Sequence, residues 1–224
     1  LGVALVHWFV KELKSLKREV KIWLVADGAY ATRPFLIPML KEGVVMVSRL
    51  RKDAHLRDLP PPRDPDQRNP RGRPRIYGHQ RISLAKRAGQ QRGWQSITFN
   101  CRGEEVTREY KMFQATSCLV SGEIRVVLMR DGDEWVPYFC TDPTAAVRDI
   151  LEVATSRWAI EEQFHDVKEV WGAGQQQVRN VWSNIGCWHL NQWLFTLVEL
   201  CSWDQPQSVL SDRSDRSWDN PHRR

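Results

Sequence analysis

The first part of the chain alternates between helical and strand patterns of hydrophobic residues. Apolar residues separated by lysines recur at helical spacing and predict an amphipathic helix that packs on a sheet: Leu5, Trp8, Phe9, Leu13 and Leu16. The continuous apolar run 22–26 predicts a buried parallel strand that ends at Asp27. A second helix over 32–41 and a β-branched strand over 44–47 follow. This order predicts an α/β layer in which Asp27 projects from the carboxyl edge, where open sheets bind ligands.

The middle of the chain changes from a proline-rich basic stretch to a series of short strands. Between residues 49 and 92 prolines alternate with arginines and few apolar residues remain, which predicts a long loop. Beyond it, β-branched and aromatic runs predict successive strands, at 97–99, 106–113, 115–120, 124–129 and 135–140. Asp131-Gly132 is the predicted turn before the last of these strands. The middle of the chain is therefore expected to be β-rich.

The last third of the chain predicts two helices. Thr141-Asp142-Pro143 has the composition of a helix cap with proline at the first helical position, and a helical pattern continues to Trp171. Gly172 and Gly174 are expected to end this helix. A second helix is predicted over 178–203. Its tryptophans are expected to fill a core rather than to stack on bases: Trp182, Trp188, Trp193 and Trp203.

These patterns divide the chain into five segments. Residues 1–48 are predicted to form the first part of an α/β core, and residues 49–92 a basic, proline-rich loop. Residues 93–141 are predicted to hold a β-rich insertion and the last core strand, and residues 142–203 two helices. Residues 204–224 form a polar tail with little to bury, which predicts disorder.

Composition favours a globular protein of the cytoplasm that contacts polyanions. The 224 residues are 42% hydrophobic, which is enough to build a core, and the formal net charge is +6. A basic enzyme without a polyanionic partner remains open. The five cysteines lie far apart and form no zinc-type pair, which fits a reducing compartment. Polar residues interrupt the most apolar run, 185–203, so we expect a buried helix there and no membrane span.

A helical wheel places three charged residues on one narrow face of the helix predicted up to Trp171. With Arg157 at zero and about 100° per residue, Glu161 falls near about 40° and Lys168 near about 20°. This face borders the apolar stripe, so it would meet the strand end that carries Asp27. An ordinary surface ion pair, worth about 0.2–0.5 kcal/mol, has the same spacing, and spacing alone favours that simpler interpretation.

Residues 157–168 resemble the Tyr-x2-Arg-x3-Glu-x6-Lys signature of bacterial insertion-sequence transposases of the DDE type. Arg157, Glu161 and Lys168 occupy the Arg, Glu and Lys positions, whereas Ala154 stands where the signature has tyrosine. The role of that tyrosine in gripping DNA is therefore not carried over to this chain.

Two other segments extend this resemblance over most of residues 20–203. Residues 24–30, with the sequence LVADGAY, resemble the family's second-aspartate strand. Residues 71–78, with the sequence RGRPRIYG, resemble a basic segment common in these proteins. The resemblance implies a ribonuclease H-like α/β core that is interrupted by a β-rich insertion between the second aspartate and the glutamate.

The resemblance also implies a chemistry for the charged residues. Asp27 and Glu161 would be catalytic carboxylates that hold two Mg²⁺ or Mn²⁺ ions for phosphoryl displacement, since such cations prefer hard oxygen ligands. Arg157 and Lys168 would meet DNA phosphates. Four further residues are predicted to bind DNA: Arg71, Arg73, Arg75 and Arg179.

The implied protein is a bacterial endonuclease and strand transferase of DNA transposition. It would act on the terminal inverted repeats of an insertion sequence, be a dimer in its working complex, and be cytoplasmic and nucleoid-associated when bound. The family's first aspartate is expected before the opening helix, and no Asp precedes Asp27. We therefore predict a fragment that cleaves DNA poorly by itself. A catalytically inactive DNA-binding remnant is the alternative, and an accidental match in an unrelated α/β protein is the third interpretation.

Several other polar residues have a simpler interpretation beside the functional one. Asp142 at a predicted strand end is better explained by helix capping than by metal binding. Glu162 should point away from the helical face that carries Glu161. His165 is interpreted by default as a surface residue, and the alternative is that it supports a metal ligand by a hydrogen bond. Nine basic residues of the proline-rich stretch could track phosphates or only be solvated: Arg49, Arg51, Lys52, Arg57, Arg63, Arg68, Arg71, Arg73 and Arg75.

Overall fold

A computed structural model of the chain describes residues 1–17, 20–62, 74–101 and 103–205. The chain separates into two compact units, Leu1–Arg157 and Trp158–Arg224. The first unit contains all described strands, and the described residues of the second form helices and connecting turns. Apart from its first two residues, the polar tail predicted over 204–224 lies outside the described residues.

The described residues of the first unit form a mixed eight-stranded sheet. Its strands are β1 Trp23–Ala26, β2 Val45–Arg49, β3 Leu56–Arg57, β4 Arg81–Ile82, β5 Gln95–Cys101, β6 Glu104–Ser117, β7 Gly122–Asp131 and β8 Glu134–Cys140. In the sheet they follow the order β1-β2-β8-β7-β6-β3-β4, and β5 also pairs with β6. Strands β1 and β2 are parallel, whereas the other paired strands are antiparallel.

Helices cover both faces of this sheet. The helices of the first unit are α1 Gly2–Ser15, α2 Arg33–Lys41, α3 Leu84–Gly89 and α4 Val147–Ser156, and a 3₁₀ turn lies at Gly28–Tyr30. Side chains alternate along a strand, so Met46 packs in the core with α1, α2 and α3, while Val45 and Val47 pack in the core with α4. The predicted α/β layer is thereby confirmed.

Strand β1 is parallel to its neighbour, as predicted, but it is not buried. All four of its residues are half-exposed, because β1 stands at the end of the strand order and pairs only with β2 among the described residues. The predicted turn between the last two strands is also confirmed. Asp131 pairs with Glu134 across it, and Gly132 has a φ of 61°, which glycine adopts without strain.

Two predictions for the middle of the chain are wrong. The loop expected over 49–92 contains β3, β4 and α3, because a few apolar side chains there are drawn into the core: Leu50, Leu56, Ile82, Leu84 and Ala88. The two strands predicted over 106–113 and 115–120 are one long strand, β6, since Gln114 continues the pairing with β7. A polar residue on an exposed sheet face does not end a strand.

The second unit consists of α5 Ala159–His165, a π-helical turn Asp166–Val170 and α6 Val181–Ser202. The Trp171 amide donates to the Asp166 carbonyl at 3.0 Å, the spacing of a π-helix. The helix predicted from Pro143 to Trp171 is therefore wrong as a single element, since α4, α5 and the π-helical turn replace it. Its predicted end is confirmed, because Gly172 has a φ of 72° after the last turn.

Helix α6 begins three residues later than predicted, where the Asn180 side chain accepts from the amides of Trp182 and Ser183. The expectation that its tryptophans fill a core is wrong for most of them. Trp182, Trp193 and Trp203 are 79%, 70% and 77% exposed, and α6 has no buried residue. No helix in the described ranges has the length and apolar character required to cross a membrane.

Candidate functional site

Asp27 stands at the carboxyl end of β1, where the sequence predicted it. Its backbone is extended, with φ −64° and ψ 157°, and its side chain begins the 3₁₀ turn Gly28–Tyr30. One carboxylate oxygen accepts from the Gly28 amide at 2.6 Å. The other oxygen has no hydrogen bond or ion pair with the described residues, and the side chain is exposed. Asp27 therefore presents a carboxylate that can take a further ligand.

A row of polar side chains crosses the sheet beside Asp27. Ala26 pairs with Ser48 on β2, so the next position brings Arg49 beside Asp27. Arg49 in turn pairs with Tyr138 on β8. By the alternation of side chains along the strands, Asp27, Arg49 and Tyr138 share the face that α4 covers, where Tyr138 packs against the core.

Arg157 belongs to the same unit and follows the last residue of α4. It lies three residues after Ala154, which packs on the α4 face of the sheet in the same cluster as Tyr138. Burial raises the pKa of the Tyr138 hydroxyl, and the positive charges of Arg49 and Arg157 oppose this rise. The positive charges of two guanidinium groups of the first unit thus act on the pKa of one phenol. Sequence analysis missed Tyr138, because the register of β2 and β8 is not visible in either segment alone.

Glu161 and Lys168 belong to the second unit. Glu161 lies in the first turn of α5 with an exposed side chain, and its amide donates to the Trp158 carbonyl at 2.9 Å. Lys168 lies in the π-helical turn, and its ammonium group is 5.9 Å from the centre of the Phe164 ring. The face shared by Arg157, Glu161 and Lys168 was derived for one regular helix. It stays a prediction, because the chain changes helical type between these residues.

Contacts with α6 hold α5 in place within the second unit. The rings of Phe164 and Trp188 stack with their centres 6.1 Å apart. The Gln163 side-chain amide donates to Gln192 at 3.0 Å. Phe164 therefore contacts both α6 and the Lys168 ammonium group, and these contacts link α5 to its neighbours in the second unit.

The donor chemistry of Asp27 and Glu161 fits a hard divalent cation. Both are exposed carboxylates, and Mg²⁺ is commonly bound by one or two carboxylates with water and substrate oxygens completing its shell. Within the described ranges, no three His, Cys, Asp or Glu side chains group together as a metal site. Each predicted carboxylate, considered in its own unit, could therefore hold a cation only with help from water, phosphate or a further ligand.

The remaining predicted DNA-binding arginines fall in different places. Arg71 and Arg73 lie outside the described residues. Arg75 is exposed and contacts the His79 ring, with its Nη1 2.8 Å from Nδ1. Arg179 is exposed in the second unit, immediately before the Asn180 cap of α6. Their contacts with DNA stay predictions.

Asp142 and Asp27 lie at opposite ends of the strands, Asp142 near the amino end of β1 and Asp27 at its carboxyl end. The β8 strand is antiparallel to β2, so its carboxyl end reaches the amino end of β1, where Lys21 donates to Asp142 at 2.7 Å. Its other oxygen accepts from the Thr144 amide and hydroxyl, at 2.8 and 2.6 Å. The hydrogen bond with Lys21 is the largest cause that lowers the pKa of Asp142 to about 2, and the bonds with Thr144 lower it further. The predicted capping role is wrong, because α4 begins after Ala146.

The default interpretation of His165 as a surface residue agrees with the structure. Its side chain is exposed, and its Nδ1 lies 3.3 Å from an Asp166 carboxylate oxygen. All five cysteines are free, and none of them is grouped with other metal ligands in the part of the chain that the structure describes.

Comparison with known families identifies one match. Residues 5–196 match the family model described as the transposase DDE domain. No curated protein matches the chain. The match spans both units and includes Asp27, Arg157, Glu161 and Lys168.

Proposed function

Because the chain belongs to the transposase DDE domain family, we propose that it supplies the catalytic domain of a metal-dependent DNA endonuclease and strand transferase. In this proposal the enzyme acts on the terminal inverted repeats of an insertion sequence as a dimer. The main support is that the matched residues 5–196 include an exposed carboxylate, Asp27, at the carboxyl end of a parallel strand. This is the edge at which α/β sheets hold their ligands.

In this proposal Asp27 and Glu161 are the catalytic carboxylates and hold two divalent cations, Mg²⁺ or Mn²⁺. Asp27 and Glu161 would hold these cations, which would supply positive charge for activating a water or a 3′-hydroxyl and for stabilising the leaving oxygen at phosphorus. The Gly28 amide orients Asp27 by binding one of its oxygens, which leaves the other oxygen for a ligand. The π-helical turn after α5 supports the assignment of Glu161, because such turns are frequent at functional sites.

Arg157 and Lys168 complete the proposed site as the Arg and Lys of the signature. Their charges would hold the backbone of the cleaved strand and would not transfer protons. We also propose that the parallel pair β1–β2, with helices on both faces, is part of a ribonuclease H-like core. The antiparallel strands β5–β8 would then comprise the insertion between Asp27 and Glu161 and the last core strand, as the order of elements along the chain allows.

The metal-binding half of the proposal is tested by a binding measurement that does not depend on enzymatic activity. Manganese binding to the chain is followed by the loss of the electron paramagnetic resonance signal of free Mn²⁺. Asp27→Asn and Glu161→Gln should each weaken binding by about tenfold or more, because each removes a charged ligand. The matched controls Asp53→Asn and Glu162→Gln should bind as the wild type does. Equal binding by all variants would refute the assignment of the two carboxylates.

The endonuclease half is tested on the full-length product of the gene that encodes this domain. Supercoiled plasmid carrying the element's ends should be nicked with Mg²⁺, and nicking should be lost in Asp27→Asn and Glu161→Gln. Nicking that persists in both variants would refute the catalytic assignment. DNA binding without any metal-dependent nicking would instead support the inactive remnant.

A further inference from the structure

We propose that Arg49 and Tyr138 form a binding site for a backbone phosphate of DNA, beside Asp27 on the α4 face of the sheet. This proposal rests on the proposed action on DNA and adds residues to it. The two side chains come from β2 and β8, which are far apart in the chain and are brought together only by the sheet.

The register of the strands places the two donors side by side. Arg49 and Tyr138 are direct cross-strand partners, and such partners on one face have Cβ atoms about 4.5–5.5 Å apart. Arg49 ends β2 and is exposed, and Tyr138 is half-buried against the α4 core. A guanidinium group and a hydroxyl at this spacing can donate to oxygens of the same phosphate.

Unlike several other arginines of the first unit, Arg49 has no ion-pair partner among the described residues. Arg51 pairs with Asp53, Arg130 with Glu109 and Arg148 with Glu152, and these pairs occupy their guanidinium groups. Arg49 makes no hydrogen bond or ion pair with the described residues, although Asp27 lies beside it on β1. The Tyr138 hydroxyl likewise has no hydrogen-bond partner among them. Both donors are therefore available to a ligand.

The charges around Tyr138 favour an anion. A phenol is protonated at neutral pH, and burial raises the pKa of Tyr138 further, so its hydroxyl can donate. The positive charges of Arg49 and Arg157 lower the pKa of the hydroxyl, whereas the negative charge of Asp131 raises it. Ala154, at the tyrosine position of the signature, packs in the same core as Tyr138. Both residues therefore lie on the α4 face of the sheet.

The experiment measures the anisotropy of a short fluorescein-labelled duplex titrated with the whole chain at several salt concentrations. Arg49→Gln should weaken binding about tenfold and lower the slope of log K against log salt by about 1, because one phosphate contact is lost. Tyr138→Phe should weaken binding about threefold to tenfold without changing the slope, because it removes a neutral donor.

Two matched variants and a neutral duplex provide the controls. Arg51→Gln, in the same basic stretch, and Tyr110→Phe, in the same core cluster, should leave the affinity and the slope unchanged. A duplex with methylphosphonate linkages should bind the wild type and Arg49→Gln equally, since its backbone has no charge. Thermal unfolding checks that each variant is folded.

The outcomes separate this site from the proposed function. If the wild type binds DNA with a steep salt dependence but Arg49→Gln behaves as Arg51→Gln does, the site is wrong and the proposed function stands. If Tyr138→Phe matches the wild type, the tyrosine has no part in the site. If the wild type binds no duplex at low salt, both proposals fail.

Discussion

The two units differ in how they hold their hydrophobic side chains. In the first unit two core clusters bury side chains on both faces of the sheet. In the second unit Val167 and Ala173 are the buried hydrophobic residues among those described, although α6 is apolar around most of its surface. The first unit is therefore stabilised by burial. The second depends on local signals such as the Asn180 cap, and on a few contacts such as the Phe164–Trp188 stack.

This difference bears on the proposed catalytic residues, some of which lie in each unit. Asp27, Arg49, Tyr138 and Arg157 stand on or beside the sheet of the first unit, which has a large buried core. Glu161 stands on a short helix with no buried residue of its own. Segments with little buried apolar area open with less free energy than core strands do. The helix that carries Glu161 should therefore open more easily than the strands that carry Arg49 and Tyr138.

The largest expected effect is a difference in stability between the same substitution, leucine to alanine, made in each of the two units. Leu128→Ala removes a fully buried side chain of β7 and should lower the free energy of unfolding by about 2–5 kcal/mol. Leu197→Ala, on α6, removes a side chain that is 50% exposed and should cost less than about 1 kcal/mol. Urea unfolding followed by circular dichroism measures both. Equal losses would mean that α6 is buried as deeply as the sheet.

An intermediate effect tests the ion pair that anchors β8 to the amino end of β1. Asp142→Asn should lower the free energy of unfolding by about 1 kcal/mol at pH 7, because the Lys21 contact loses its charge. The pKa of Asp142 in the folded chain, about 2, lies below its ordinary value. The ionised carboxylate therefore stabilises the fold above about pH 4, and this stabilisation is lost as the pH falls towards 2.

Unfolding in urea at pH 7, 4 and 2 measures this dependence for the wild type and Asp142→Asn. The two proteins should converge at the lowest pH. Asp149→Asn, an exposed carboxylate of α4, serves as the control and should show a smaller difference at every pH. A difference between wild type and Asp142→Asn that stays constant with pH would contradict the role of the charge.

The smallest expected effects have opposite signs within the second unit. Gly172→Ala forces a side chain into a φ of 72° and should destabilise the unit by about 1 kcal/mol. Gly186→Ala, inside α6, meets no atom within 4 Å and should stabilise the helix by about 0.5–1 kcal/mol. Hydrogen exchange of α6 peptides measures both. Effects of the same sign would show that local helix signals do not govern this unit.

The sequence predicted those parts of the fold that depend on neighbouring residues. The glycines at 132 and 172 indicated a hairpin turn and a helix end, and the run before Asp27 indicated a parallel strand. The stretch 49–92 was misjudged, because Leu56 and Ile82 form short strands only where β6 and the core receive them. The break in the helix at Arg157 also has no local signal, since no proline or glycine stands there.

By itself, the sequence determined that Asp27 ends a strand, that Glu161 and Lys168 are spaced on helical turns, and that the chain resembles DDE transposases. These properties follow from residue types a few positions apart. Only the tertiary structure decided that Arg49 and Tyr138 are neighbours and that Asp142 and Asp27 lie at opposite ends of the strands. Strand pairing sets both arrangements, and pairing depends on hydrogen bonds between segments that are distant in the chain.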